Sequence, residues 1–111
     1  MTTSTSDPVA ERIGDMLAKH DIVLFMKGVP AAPQCGFSQA VVQVMNQLDV
    51  PYATFNVLAD DAIREGIKAY SNWPTIPQLY VKGEFIGGCD IVREMHASGE
   101  LAQLLADQGL G

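Results

Sequence analysis

Cysteine is scarce in this chain, which has only Cys35 and Cys89 among its 111 residues. Two cysteines cannot build the disulfide framework that holds many small secreted domains together. The sequence therefore favours a reducing compartment, in which both thiols are free or bind a ligand.

Basic residues are also few, since seven Lys and Arg stand against thirteen Asp and Glu and give a formal net charge of -6. This balance argues against nucleic acid or an anionic membrane as a partner, because both attract cationic surfaces. The remaining cations are informative for that reason. Lys27 ends a predicted strand, and Arg64 and Lys68 lie four residues apart, on one face of a predicted helix.

Long apolar runs are absent. Stretches such as Ile22–Met26 fall far short of the roughly 20 residues that span a bilayer, so no transmembrane helix is predicted. Residues 1–7 lack the basic start and apolar centre of a secretory signal and are predicted to be a loose polar tail. With 48% hydrophobic and 18% charged residues, residues 8–111 are predicted to form one folded domain.

Apolar periodicity and capping residues predict alternating helices and strands in the first two thirds of the chain. The short run after Asp21 is apolar at every position, as in a central strand buried on both faces. The predicted elements are a helix from Pro8 to His20 with Asp7 as its N-cap, a strand over Ile22–Lys27, a loop over Gly28–Pro33, a helix over Gln39–Leu48, a strand over Tyr52–Val57, and a helix capped by Asp60 and Asp61 that reaches Tyr70.

The last third of the chain predicts a hairpin followed by two helices. Prolines interrupt regular structure over Trp73–Pro77, and Lys82-Gly83 has the composition of a tight turn. The predicted elements are strands over Gln78–Lys82 and Glu84–Ile86, a helix capped by Asp90, and a helix over Glu100–Ala106 after Gly99.

Cys35 lies between the first strand and the second helix, at the predicted helix N-terminus. A thiol in this position gains thiolate character from the helix dipole and from free backbone N–H groups. Ser38 occupies the position where a second thiol would complete a C-x-x-C pair. Reaction of Cys35 therefore requires a sulfur from outside this motif, either in a disulfide or beside a soft metal.

The order of elements, with a thiol at a helix start and a proline before a hairpin, resembles the thioredoxin-like α/β fold. This predicts a mixed sheet of four strands flanked by about five helices. The proline is Pro77, and a cis Ile76-Pro77 bond would turn the main chain of Ile76 outwards, ready to pair with an extended peptide. The alternative is an ordinary trans turn, because cis is the minority form of X-Pro bonds.

Three blocks of sequence extend the resemblance over almost the whole chain, from Val9 to Leu105. Together they resemble the monothiol glutaredoxins of the single-domain Cys-Gly-Phe-Ser type. The blocks are Phe25-Met26-Lys27-Gly28 with Pro30, Pro33 and Cys35-Gly36-Phe37-Ser38; Trp73-Pro74-Thr75-Ile76-Pro77-Gln78-Leu79-Tyr80; and Gly87-Gly88-Cys89-Asp90.

This resemblance implies a protein that binds glutathione and a 2Fe-2S cluster bridging two subunits, each of which gives one protein thiolate and one glutathione thiolate. It implies a homodimer in the cluster-bound form, transfer of clusters to apo iron-sulfur proteins, and pairing with BolA-like proteins. Bacterial cytoplasm is the expected location, with an organelle matrix as the alternative.

A second interpretation is a glutathione-dependent oxidoreductase that removes glutathione from mixed disulfides with Cys35 as nucleophile. A third is an iron-status regulator that acts through a BolA-like partner.

By the same resemblance, Cys35 is the cluster ligand and the nucleophile. Lys27 favours its thiolate and holds the glycine carboxylate of glutathione, which Arg64 also contacts. On the sequence alone, Lys27 could instead be a solvated lysine at a strand end, which is the commoner case for lysines. Arg64 could form an ion pair with Asp60 or Asp61 on its own helix.

Ile76, Cys89 and Asp90 complete the implied glutathione site. The main chain of Ile76 would meet the cysteinyl part, and Asp90 with the backbone at Cys89 would receive the γ-glutamyl end. Asp90 could also act only as an N-cap. Thr75 and Phe37 are predicted as lesser contacts, and a disulfide between Cys89 and Cys35 is left open because the sequence gives no distance.

Other residues of chemical interest receive plainer readings. His20 and His96 lack the spacing and neighbours of a metal site and are predicted to be surface residues. Trp73 is predicted to pack at the edge of the site. Gln34 is uncharged where related sequences often have a basic residue, which leaves less positive potential at the Cys35 thiol.

Overall fold

The computed structural model describes residues 7–110, and the predicted tail lies outside the described residues except for Asp7. Asp7 is the N-cap of the first helix, as predicted, and its Oδ1 accepts hydrogen bonds from the N–H groups of Val9 and Ala10. The helices are α1 (Pro8–Lys19), α2 (Gly36–Leu48), α3 (Asp61–Ser71), α4 (Cys89–Ser98) and α5 (Glu100–Asp107). The strands are β1 (Ile22–Met26), β2 (Gly28–Val29), β3 (Ala32–Pro33), β4 (Ala53–Asn56), β5 (Gln78–Val81) and β6 (Glu84–Gly87).

Four strands form the main sheet in the order β4-β1-β5-β6. Strand β1 is parallel to β4 and antiparallel to β5, and β5 is antiparallel to β6. This is the predicted mixed sheet, and with five helices around it the predicted thioredoxin-like fold is confirmed. Every residue of β1 is buried because the strand has a neighbour on each side and helices on both faces.

The two faces of the sheet carry separate apolar clusters. Alternate side chains of a strand point to opposite faces, so Leu24 and Met26 of β1 join one cluster and Val23 and Phe25 join the other. The first cluster packs against α2, α4 and α5, and the second packs against α1 and α3. No helix among residues 7–110 is long and apolar enough to cross a membrane.

Several predicted boundaries differ from the structure. Helix α2 begins at Gly36 and not at Gln39, and two further differences arise from capping. Asp90 is not the N-cap of α4: Gly88 occupies that position without a side-chain bond, and Asp90 lies in the first turn. Strand β4 ends at Asn56 rather than Val57, because the Asn56 side chain caps a short 3-10 helix over Val57–Ala59. The cap predicted for α3 is confirmed at Asp60, whose carboxylate accepts from the N–H group of Ile63.

The segment predicted as a plain loop before Cys35 contains a small hairpin of β2 and β3. Gly28 begins it with a φ of +91°, in the left-handed region that glycine adopts without steric cost. A Cβ on Gly28 would lie 2.7 Å from both the carbonyl oxygen of Ala32 and the nitrogen of Gln34. The N–H group of Gly28 donates to Oδ1 of Asn56 over 2.9 Å, which fixes the hairpin to the end of β4.

We expect Gly28→Ala to destabilise the fold far more than Gly83→Ala. Gly83 has a similar φ of +82°, but a Cβ there would meet no atom within 4 Å. Gly83→Ala should therefore cost only the backbone strain, about 1–2 kcal/mol in free energy of unfolding. Gly28→Ala adds a backbone clash. Its loss in free energy of unfolding should therefore exceed that of Gly83→Ala by about 1 kcal/mol or more. Urea unfolding of both variants measures the difference, and equal losses would show that the hairpin shifts freely.

Candidate functional site

Cys35 lies where the β2–β3 hairpin meets α2. It is the N-cap residue of the helix, with extended φ and ψ of -152° and 135°, and its side chain is partly exposed. Because its side chain makes no capping hydrogen bond, the N–H groups of the first helical turn are available to the sulfur. The structure thus confirms the predicted thiol at a helix N-terminus.

Partial burial raises the pKa of Cys35, but several neighbours oppose it. The N–H groups of Ser38 and Phe37, the ammonium group of Lys27 and the hydroxyl group of Ser38 all favour the thiolate. Their combined effect outweighs burial, and the pKa of Cys35 lies below its ordinary value. The thiol is therefore more nucleophilic and a better soft-metal ligand at neutral pH than an ordinary cysteine.

Ser38 has a structural role that the sequence did not reveal. Its side chain is completely buried, and its Oγ accepts a hydrogen bond from the N–H group of Lys27 over 3.1 Å. The residue that replaces a second thiol therefore joins the end of β1 to the first turn of α2. Both Lys27 and Ser38 lower the pKa of Cys35, so this hydrogen bond also holds together two of the groups that tune the thiol.

A groove of about 420 Å³ opens beside Cys35. Cys35 itself is not among the lining residues, but Lys27 and Phe37, which both act on its pKa, belong to the wall. The groove brings together all five residues predicted for glutathione and both predicted lesser contacts. The lining residues are Lys27, Phe37, Arg64, Lys68, Trp73, Pro74, Thr75, Ile76, Pro77, Gly88, Cys89, Asp90 and Ile91.

Positive charge is concentrated in this groove. Three of the seven basic residues line it, whereas Asp90 is the only one of the thirteen acidic residues that does. The alternative ion pair for Arg64 is not present among residues 7–110, because Asp60 pairs instead with Arg12 over 2.8 Å. Lys68, which was not predicted as a site residue, pairs with the exposed Glu65 over 3.3 Å.

The start of α4 also lines the groove. Gly88 is the N-cap, and Cys89 and Asp90 are the first helical residues, so their backbone N–H groups have no partner within the helix. A Cβ on Gly88 would lie 3.1 Å from Nε1 of Trp73 and 3.3 Å from the carbonyl oxygen of Pro77. Glycine at this position therefore lets the start of α4 approach the Trp73–Pro77 segment closely.

The Ile76-Pro77 bond is cis, as predicted. The side chain of Ile76 joins the apolar cluster beneath α1 and α3, and the residue is only 5% exposed. What Ile76 offers to a ligand is therefore its main chain. Trp73 packs against Phe85 with ring centroids 5.8 Å apart, which agrees with its predicted packing role.

Cys89 differs from Cys35 in environment. Burial raises the pKa of Cys89 and outweighs the opposing effect of the nearby Arg93. Both thiols are free in the structure, but the charge of Cys35 is close enough to disfavour ionisation of Cys89. Of the two thiols, Cys35 is thus the more readily ionised.

The histidines do not contribute to the groove. His20 is exposed, and His96 is half-buried, with its Nε2 hydrogen-bonded to Oε1 of Gln47 over 2.8 Å. Over residues 7–110, no group of three or more His, Cys, Asp or Glu side chains is arranged to hold a metal ion.

The fold and the site define a thioredoxin-like protein with one reactive thiol beside a cationic groove. A glutaredoxin family model matches residues 22–86. A monothiol glutaredoxin of Synechocystis sp. is 54% identical over 94 residues, which are 85% of this chain and 88% of that protein. The chain belongs to the glutaredoxin family and, within it, to the monothiol glutaredoxins.

Longer relatives match as well. A monothiol glutaredoxin of Oryza sativa subsp. japonica is 48% identical over 109 residues, which are 98% of this chain. This chain spans only about a fifth of that relative, since the match covers 22% of it. The similarity to the longer protein is therefore confined to one part of its length.

Solved structures agree with the fold. A monomeric truncated mutant of Trypanosoma brucei 1-C-Grx1 superimposes with a TM-score of 0.84 and 43% sequence identity, covering 92% of this chain and 93% of that one. A buckwheat glutaredoxin in complex with glutathione superimposes with a TM-score of 0.83 and 26% identity, covering 99% of this chain and 98% of that one.

We expect iodoacetamide to alkylate Cys35 much faster than Cys89 in the folded protein at pH 7. Cys35 is partly exposed with a lowered pKa, whereas burial raises the pKa of Cys89 and shields it. Peptide mass mapping over time measures the two rates, with the urea-unfolded protein as the control in which both thiols react alike. Comparable rates in the folded protein would contradict the assigned environments.

Proposed function

We propose that the groove binds glutathione with its sulfur beside Cys35. The observation that carries this proposal is that one groove is lined both by cationic side chains and by the N-terminus of a helix. Lys27 and Arg64 suit the glycine carboxylate, while the N–H groups at the start of α4 suit the α-carboxylate of the γ-glutamyl residue. Asp90 suits the ammonium group beside that carboxylate. The glutathione complex of the buckwheat relative supports the assignment.

The size and the net charge of the groove support the same ligand. A volume of about 420 Å³ falls in the range of small-molecule sites. Glutathione has two carboxylates and one ammonium group at neutral pH and is therefore an anion. A cationic groove on a protein with a net charge of -6 is a local attraction for such a molecule.

We further propose that the protein carries a 2Fe-2S cluster, with the Cys35 thiolate and a glutathione thiolate as the ligands from each subunit. Such clusters are commonly held by four thiolates, so two chains and two glutathiones complete the set. The partly exposed, ionisable Cys35 fits the role of a ligand shared across a dimer. The cluster is the cargo, which passes to apo iron-sulfur proteins. A BolA-like protein is proposed as an alternative partner to the second copy of this chain.

The proposed location is the bacterial cytoplasm, or an organelle matrix.

The lowered pKa of Cys35 also favours a second activity, the removal of glutathione from mixed disulfides. The Cys35 thiolate would attack the glutathione sulfur and release the other thiol, leaving glutathione bonded to Cys35. A second glutathione thiolate would then attack that sulfur, restore the Cys35 thiolate and leave as glutathione disulfide. This reaction uses the same groove and needs no second protein thiol.

We expect Lys27→Met and Arg64→Met each to weaken glutathione binding about tenfold, because each removes a charge-assisted contact to a carboxylate. Lys19→Met is the matched control, since Lys19 is an exposed lysine of α1 away from the groove lining. Isothermal titration calorimetry with reduced glutathione measures the dissociation constants. Equal affinities for all three variants and the wild type would place glutathione elsewhere.

We expect anaerobic incubation with iron, sulfide and glutathione to give a coloured dimer with wild-type protein and not with Cys35→Ser. The substitution replaces the proposed thiolate ligand with a hydroxyl group that Fe–S clusters do not favour. Visible absorption together with light scattering measures cluster content and mass, and omission of glutathione is the control. A colourless monomer under every condition would reject the carrier function and favour the deglutathionylation reaction.

A further inference from the structure

Gln78 is a completely buried amide in an otherwise apolar layer of the sheet. It begins β5 and lies opposite Phe25 of β1. Its Nε2 donates to the carbonyl oxygens of Trp73 over 3.2 Å and Thr75 over 3.1 Å, and its Oε1 accepts from the hydroxyl group of Tyr80 over 3.2 Å. Both N–H bonds of the amide are thus directed at the segment that precedes it.

That segment forms one wall of the groove, since every residue from Trp73 to Pro77 lines it. Two of its five residues are prolines, which have no N–H group to donate. Within the described residues, main-chain hydrogen bonds outside helices and strands reach this segment only at the N–H group of Trp73, which donates to Lys68 at the end of α3. Within the described residues, the other polar anchors of its backbone are a bond from the same Trp73 N–H group to Oγ of Ser71 over 3.1 Å and the two bonds from Gln78. The carbonyl groups of the segment are therefore held by Gln78 alone.

We infer that Gln78 is a positioning residue for the glutathione site. By holding the carbonyl groups of Trp73 and Thr75 inwards, it fixes the wall in the shape that presents the main chain of Ile76 to the ligand. The inference rests on the proposed binding of glutathione in this groove. Gln78 itself does not line the groove and acts only through the segment.

The geometry distinguishes this role from simple filling of the core. A buried apolar side chain of similar length would fill the same space, but it would leave two carbonyl groups without partners. The hydroxyl group of Tyr80 donates to the other end of the amide, and among the described residues no hydrogen bond joins it to the wall segment. Tyr80→Phe therefore perturbs the same buried network without removing either bond to the groove.

The test compares Gln78→Met with Tyr80→Phe in two measurements. We expect both variants to unfold at lower urea concentration than the wild type, because each leaves a buried polar group unpaired. Only Gln78→Met should weaken glutathione binding, by about fivefold or more, since a typical hydrogen bond is worth about that factor. The ultraviolet titration of the Cys35 thiolate should be unchanged in both variants, because its neighbours Lys27 and Ser38 lie on other segments.

A second variant, Gln78→Glu, adds a pH dependence that a filling role would not show. When protonated, the introduced carboxyl group donates one hydrogen bond to the wall and still accepts from Tyr80. When ionised, it faces two carbonyl oxygens and repels them. The titratable group bonded to residue 78 is Tyr80, and burial raises the pKa of Tyr80 to about 12. Tyr80 therefore stays neutral near physiological pH. We expect the ratio of variant to wild-type affinity for glutathione to fall as pH rises.

The outcomes separate the inference from the proposed function. If wild-type protein fails to bind glutathione, the proposed function is wrong. If it binds, equal affinity of Gln78→Met and wild type overturns the inference, as does a pH-independent ratio for Gln78→Glu. Failure of both variants to fold at any pH would also count against it, because Gln78 would then serve the whole fold and not the groove.

Discussion

The hydrogen bond from the N–H group of Lys27 to the hydroxyl group of Ser38 is the interaction on which the site depends. It joins the end of the buried central strand to the first turn of α2, so the rigid core of the sheet determines where the helix begins. Gly28 allows the chain to turn between these two points, and Asn56 holds that turn to the neighbouring strand. Cys35 receives its position, its exposure and its lowered pKa from this arrangement.

The two thiols show how position controls the chemistry of identical side chains. Each lies at or beside the start of a helix, Cys35 at α2 and Cys89 at α4. Around Cys35, hydrogen bonds and the charge of Lys27 outweigh burial, whereas burial dominates around Cys89. A helix N-terminus alone therefore does not make a thiol reactive. The balance of burial against local hydrogen bonds and charge decides which thiol ionises more readily.

A single reactive thiol needs a second sulfur, and the groove beside it provides a place to bind one. The proposed cluster carriage and the proposed deglutathionylation both use this combination, with glutathione as a metal ligand in one case and as a redox partner in the other. The groove is built from five separate segments: Lys27 after β1, the first turn of α2, helix α3, the chain from Trp73 to Pro77, and Gly88 with the start of α4. Its wall before β5 has prolines in place of N–H donors, which explains why a buried amide supports it from below.

Periodicity and capping motifs in the sequence were enough to predict the order of the main helices and strands and the thiol at a helix start. The mixed sheet and the cis bond before Pro77 came from the resemblance to the thioredoxin-like fold, since the residues alone left a trans turn open. Matching motifs also identified the five residues predicted to bind glutathione, and the structure places all five in the lining of one groove. The folded structure was needed to show that Gly88 and not Asp90 caps α4, that Asp60 pairs with Arg12 and not with Arg64, and that Ser38 and Gln78 are buried anchors. The physical reason is that caps, ion pairs and buried hydrogen bonds depend on competition between groups distant in sequence. Arg12 reaches Asp60 across 48 residues, and no local pattern records that contact.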